Sequence, residues 1–329
     1  MDQIDIAIVG AGPCGIAAGV AARKENLSVV LFDKGCVAAS ILNYPYYMRF
    51  FSTADRLEVG GIPFAIPEKN PSRQEALVYY RRVAEHFHLD IRQYEAVDTI
   101  SGVEGSFLLK TLPMSGRERE YRARRIVMAT GGFHAPNMLG VPGEDLPKVL
   151  HYYTEPHPFY DQDVLVVGGS NSAVEASLEL FRSGARVSLV HFLGSLDLGV
   201  KPWVVPDITN RLEQGDIRVF WQHRVAGIAP EAVTLREEET GRLTEVKNDW
   251  VLALTGWRPD PTLLRTLGVG IDEATGVPDH DPHTMETSVP GVFIAGVLAA
   301  GNNANKIFIE NGREHGGLIV RELVKRWGH

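Results

Sequence analysis

Short apolar runs in this chain end on glycine-rich turns, and those turns open helices. Ile4 to Val9 is the first such run, and Gly10-Ala11-Gly12-Pro13-Cys14-Gly15 follows it at once. An alanine-rich helix is expected from about Ile16 to Lys24, then a second apolar strand from Ser28 to Phe32 that closes on Asp33. Strand, glycine loop, helix, strand and acid, in that order, make a dinucleotide-binding unit. Gly10 permits the tight turn, Gly12 lets the backbone approach a pyrophosphate, and Gly15 lets helix and strand pack closely. The helix start, with Pro13 in its loop, offers free N–H groups and a partial positive charge to phosphates. Asp33, 23 residues after Gly10, is placed to accept hydrogen bonds from an adenosine ribose, with Lys34 beside it.

The pattern returns in mid-chain. Asp163 to Val167 reads as a strand, Gly168-Gly169-Ser170-Asn171-Ser172-Ala173 as its loop, and a helix follows to about Ser183. The next strand, Arg186 to Val190, ends at His191, again 23 residues after the first glycine. Ala173 replaces the third glycine and no carboxylate follows the second strand, which favours NADPH and leaves NADH open. His191 is placed to donate to a 2′-phosphate, whose usual arginine partner is missing nearby. Ser170 stands where glycine normally permits close approach. Two such units imply two dinucleotides that exchange a hydride; a simple dehydrogenase needs one.

Further strands run into turns of related style. Ile126 to Ala129 leads to Thr130-Gly131-Gly132, Val251 to Leu254 leads to Thr255-Gly256-Trp257, and Gly291 to Gly296 closes on a glycine. A helix from about Ile309 to Trp327 follows. The fold class expected is α/β, with two Rossmann-like domains and the second inserted in the first.

With 329 residues, 44% hydrophobic and 22% charged, the composition is that of a folded protein with room for two domains. The formal net charge of −8 argues against nucleic acid or an anionic membrane as partner. Arg122, Arg124 and Arg125 read as a solvated edge. No apolar stretch reaches the roughly 18 residues that span a bilayer, and no signal peptide opens the chain. Two cysteines, Cys14 and Cys36, exclude a disulfide framework and suit a reducing, cytoplasmic setting. No metal site is expected, and homo-oligomerisation is left open.

The order of landmarks resembles the two-dinucleotide flavoprotein reductases, of which thioredoxin reductase is the compact form. That resemblance implies an FAD domain made of residues 1–155 and 262–329, interrupted by an NAD(P)H domain at 156–261. Residues 151–260 contain no cysteine, so the dithiol relay of thioredoxin reductases is excluded. A narrower set of motifs comprises Gly12-Pro13-Cys14-Gly15, Asn43-Tyr44-Pro45, Phe50-Phe51-Ser52, Ala76-Leu77-Val78-Tyr79-Tyr80 and Lys201-Pro202-Trp203. Ala299-Ala300-Gly301-Asn302-Asn303-Ala304-Asn305 and Ile307-Phe308-Ile309-Glu310-Asn311-Gly312 complete it. Together they look like the bacillithiol-disulfide reductase (YpdA-type) family. The resemblance implies FAD, NADPH and a small-molecule disulfide as substrate. Val297 and Phe192 depart from the wider reductase pattern, which has aspartate and arginine there.

The resemblance also implies that Cys14 is the thiol active in disulfide reduction. The helix start favours its thiolate, while the bland alternative is a small residue filling a tight loop. Tyr44, Phe51 and Ser52 would line the flavin, with core packing as the alternative. Thr130, Gly131, Gly296 and Val297 fall at expected flavin-side turns; Lys201 would flank the binding edge of the nicotinamide domain, and Gly256 lies in a turn of the same style as Thr130-Gly131-Gly132. Glu310 and Asn311 begin a helix whose N-terminus would face the flavin's pyrimidine edge. Two other readings stay open. One is a ferredoxin–NADP reductase-like flavoprotein that does not need Cys14, the other a non-catalytic flavin redox sensor.

Overall fold

Two compact units make up the chain: Met1–Ala135 with Trp257–His329, and the inserted Pro136–Gly256. The structure is a computed structural model and describes residues 3–133, 135–303 and 306–327.

In the discontinuous unit, β1 (Ile4–Val9) leads through the first glycine turn into α1 (Pro13–Lys24) and then β2 (Val29–Asp33). The helix starts at Pro13 rather than near Ile16, because proline's fixed φ suits a first helical position. Further on come α2 (Arg73–His86), β3 (Asp90–Gln93), β4 (Glu95–Val103), β5 (Ser106–Pro113) and β6 (Arg119–Met128). The sheet runs β3-β2-β1-β6, parallel throughout. β6 pairs with β1 along one edge and is long enough to serve two more strands along the other. Residues 119–123 pair antiparallel with β5, while Ile126–Met128 pair in parallel with Val292–Ile294 from the far end of the chain.

One core lies under this sheet around Ile6, Ile8, Leu31, Ile126 and Phe293. A second packs α1 against α2 through Ile16, Val20, Phe50 and Tyr80. The final helix is broken, with Ile309–Gly312 and His315–Trp327 as separate elements. Arg125 is buried rather than solvated: it pairs with Glu104 at 2.8 Å and lies over the Trp327 ring.

The inserted unit is a second parallel sheet. Its strands are β7 (Val149–Leu150), β8 (Asp163–Val167), β9 (Arg186–His191), β10 (Arg218–Trp221), then three antiparallel strands β11 (His223–Ile228), β12 (Ala232–Glu237) and β13 (Leu243–Lys247), and finally β14 (Trp250–Ala253). α3 (Asn171–Arg182) follows the second glycine turn. The parallel order is β10-β9-β8-β14-β7. The sequence placed the boundaries at 155/156 and 261/262; the division falls at 135/136 and 256/257. β7 explains the first shift, since Val149 and Leu150 hydrogen-bond in register with Val251 and Leu252.

Candidate active site

Both glycine turns sit at the carboxyl ends of their sheets, beside the strand where the order reverses. Ligands of α/β sheets bind at that position. In the first turn Gly10 has φ +109°. A methyl group there would lie 2.3 Å from the Ala129 carbonyl oxygen, so only glycine fits. At Gly15 it would lie 2.0 Å from the Gly10 carbonyl oxygen. At Gly12 the space is open, with only Ser40 Oγ at 3.8 Å. That open face, above the N–H groups of α1, fits a diphosphate. Asp33 braces the turn: its two oxygens accept from the N–H groups of Ala11 and Gly35, each at 2.7 Å. Lys34 beside it is exposed.

Cys14 lies in the first turn of α1, half-buried, and its thiol is approached by distant parts of the chain. A methyl group on either Gly296 or Gly312 would lie 2.9 Å from Cys14 Sγ. Burial pushes the Cys14 thiol up to about 12. The helix start therefore does not prevail over desolvation here. Tyr44, also pushed to about 12 by burial and then by the nearby sulfur, meets Phe50 and Phe133 edge-on at 6.0 and 6.1 Å. Tyr80 is raised by burial and feels the same sulfur. Its hydroxyl donates to the Leu57 carbonyl at 3.1 Å.

His315 is a residue that pattern reading did not single out. Its Nδ1 accepts from Gly296 N–H at 3.1 Å. Val297 packs on the Thr130-Gly131-Gly132 turn, 3.2 Å from where a methyl on Gly132 would sit. Phe51 is exposed, and the carbonyls of Phe51 and Ser52 accept from Asn70 Nδ2 at 2.8 and 3.4 Å. Phe50 belongs to the core. Asn311 caps its own helix, accepting from Phe308 N–H at 2.8 Å, and Glu310 pairs with Arg56 at 3.7 Å.

The second turn repeats the backbone logic with different tenants. Gly168 has φ +145°, and a methyl there would lie 2.6 Å from the Leu254 carbonyl oxygen and 3.0 Å from Ala173 Cβ. His191 does not point outward to a phosphate, as the sequence suggested. Its ring lies on Gly169, 2.4 Å from where a methyl would sit, and the residue is 3% exposed. Burial holds its pKa below the usual value, against the pull of Asp197. Asp197 Oδ1 is 3.3 Å from Nε2.

The segment after β9 forms a strap over this turn. Asp197 N–H donates to the Gly169 carbonyl at 3.0 Å, Asn171 Nδ2 to Gly199, and Lys201 N–H to Asn171 Oδ1, both at 3.0 Å. Lys201 Nζ is buried on Glu175. Ser170 is the residue before α3 and Ser172 is exposed in its first turn. Gly256, at φ +91°, accepts from Asn137 N–H at 2.9 Å. Among the described residues no group of three or more His, Cys, Asp or Glu could hold a metal, and no helix is long and apolar enough to cross a membrane.

The family described as pyridine nucleotide-disulphide oxidoreductase matches residues 7–296. Bacilliredoxin reductase Bdr of Bacillus subtilis (strain 168) is 42% identical over 330 residues, covering all of both chains. The chain belongs to the Bdr branch of this oxidoreductase family. Two solved Bdr structures agree. Bacillithiol disulfide reductase Bdr (YpdA) from Bacillus cereus superposes at a TM-score of 0.96, with 39% identity over 99% of this chain and 100% of that one. Its Staphylococcus aureus counterpart gives 0.93, with 37% identity over 99% of each. A Bdr-branch chain is a disulfide oxidoreductase that uses a flavin and a pyridine nucleotide.

Proposed function

We propose that this chain reduces bacillithiol disulfide with electrons from NADPH, through FAD held by the first glycine turn. The observation that carries the reading is end-to-end identity with Bdr proteins, together with a single thiol seated in that turn. The balance is NADPH + H⁺ + RSSR giving NADP⁺ + 2 RSH. When bound, FAD supplies a flavin that takes up a hydride and returns two electrons. The Gly12 face and the α1 N–H groups hold its diphosphate, and Asp33 both stiffens the turn and meets the ribose.

Cys14 is the group assigned to attack the substrate disulfide. Its thiol lies against Gly296 and Gly312 and beside Tyr44, where burial favours the protonated form until a substrate reaches it. Cys36 does not serve as a resolving partner in this reading. Attack of Cys14 on RSSR releases the first RSH, and the Cys14 mixed disulfide that remains is cleaved by the two electrons that NADPH would supply by way of bound FAD, which releases the second RSH and returns the Cys14 thiol.

The Bacillus subtilis relative is described as a reductase of bacilliredoxin, which favours a protein-bound disulfide as a second acceptor. Both acceptors belong in one test. FAD-loaded protein is mixed with NADPH and then with bacillithiol disulfide, bacilliredoxin mixed disulfide, glutathione disulfide or ferredoxin. Rapid reoxidation by a bacillithiol-bearing disulfide, lost in C14A while flavin reduction by NADPH persists, is the expected result. Full disulfide turnover in C14A overturns the cysteine route, and turnover with ferredoxin alone overturns the whole reading.

A further inference from the structure

The stretch that leaves β9 carries no cation of its own. Phe192 to Val200 contains neither lysine nor arginine, and Lys201 is committed to Glu175. No carboxylate stands immediately after His191 either; the first acid is Asp197, folded back on Gly169. In this fold the residues just past the second strand meet the 2′ position of an adenosine ribose. A ribose 2′-hydroxyl there would want an acid, and a 2′-phosphate a cation.

A cation does arrive, from elsewhere in the chain. Arg224, in β11, lays its guanidinium over the Phe192 ring at 4.4 Å from the centroid. Its Nε donates to Glu238 Oε2 at 3.0 Å, and half of the side chain is exposed. The two segments are tied together. Gln222 N–H donates to the Leu193 carbonyl at 3.0 Å, and Glu238 N–H to the Gln222 carbonyl at 2.7 Å. The charge of Arg224 reaches His191, at the very end of β9. Stacking on an aromatic ring and a clamp on Nε fix the guanidinium plane. Its Nη fork remains to grip a phosphate, and its face to meet a purine.

We propose that Arg224 is the 2′-phosphate receptor of the second dinucleotide site and makes that site select NADPH over NADH. The proposal rests on reading the second glycine turn as a pyridine-nucleotide site. Phe192, standing where a phosphate-binding arginine is usual, supports the cation that replaces it. Glu238 holds the arginine in place and competes with the phosphate for its charge.

The test uses FAD-loaded full-length protein, with the first turn occupied, and calorimetric titration with 2′,5′-ADP and with 5′-ADP. Wild type is expected to bind 2′,5′-ADP roughly tenfold or more tightly, the scale of one charge-assisted contact. R224Q reduces that preference to about twofold or less while 5′-ADP binding is kept, and R224K restores part of it. E238Q keeps or widens the preference. R224Q that still binds 5′-ADP and still prefers 2′,5′-ADP overturns the proposal, as does a wild type that binds both equally. A wild type that binds neither overturns the dinucleotide reading of the turn itself, and the proposal with it.

Discussion

The backbone N–H of Gly296 donates to Nδ1 of His315 at 3.1 Å, which requires a neutral ring with its proton on Nε2. Burial, and then the neighbouring His280, hold the His315 pKa below its ordinary value, while Glu314 pulls the other way. An unfolded histidine titrates near about 6.5. As pH falls through that value the unfolded chain takes up the proton first, so folding stability is lost on the acid side and level above it. Buried His191 acts with the same sign. Melting temperature is therefore expected to drop between neutral and mildly acidic pH. H315N keeps an acceptor for Gly296 and removes the titration, so its melting temperature falls less. Equal pH dependence in the two proteins would refute the assignment.

Gly312 and Cys14 are coupled through one crowded point. A methyl at 312 meets Cys14 Sγ at 2.9 Å, Gly296 Cα at 3.1 Å and Ile307 Cγ2 at 3.1 Å. G312A is expected to destabilise by about 1–3 kcal/mol, as overpacking does. In a C14A background the sulfur is gone and the other two contacts remain, so the cost shrinks without vanishing. Urea unfolding of the four proteins gives the coupling, expected at about 1 kcal/mol. Strict additivity would mean the sulfur does not occupy that space.

Asp33 joins the end of β2 to the loop it faces, and D33A strands the N–H groups of Ala11 and Gly35. Each stranded donor costs about 1–3 kcal/mol, and the phosphate loop loosens with them. FAD affinity is expected to fall at least tenfold, with D33N intermediate because it keeps one acceptor. Flavin fluorescence on dilution reads this directly, and a D33A protein that holds FAD like wild type would contradict it.

What the sequence revealed follows from how locally each feature is determined. Gly10 and Gly168 were legible because their backbone geometry and close approach to a carbonyl admit no side chain, and Asp33 because its distance along the chain is set by one helix and one strand. The environment of Cys14 was hidden, since Gly296 and Gly312 reach it from nearly 300 residues away. His191 was placed correctly on its strand but assigned the wrong direction, because only the folded strap reveals that its ring lies on Gly169. Arg224 arrives through antiparallel pairing that no spacing rule encodes. β7 spans two residues, too short to leave a pattern, and the domain boundary was misplaced with it.

Asn171 is the pin of the strap over the second turn. One side chain donates to the Gly199 carbonyl and accepts from Lys201 N–H, both at 3.0 Å, so a single substitution removes both hydrogen bonds. N171A leaves α3 intact, since position 171 begins the helix and alanine is well tolerated there. Two lost hydrogen bonds, at about 1 kcal/mol each, leave the segment from Asp197 to Lys201 held by Asp197 N–H on Gly169 and Lys201 on Glu175. The Lys201 amide is then expected to exchange its hydrogen at least about fivefold faster, while amides of β8 and β9 keep their protection. Unchanged exchange at Lys201 would show that the strap is held by Glu175 rather than by Asn171.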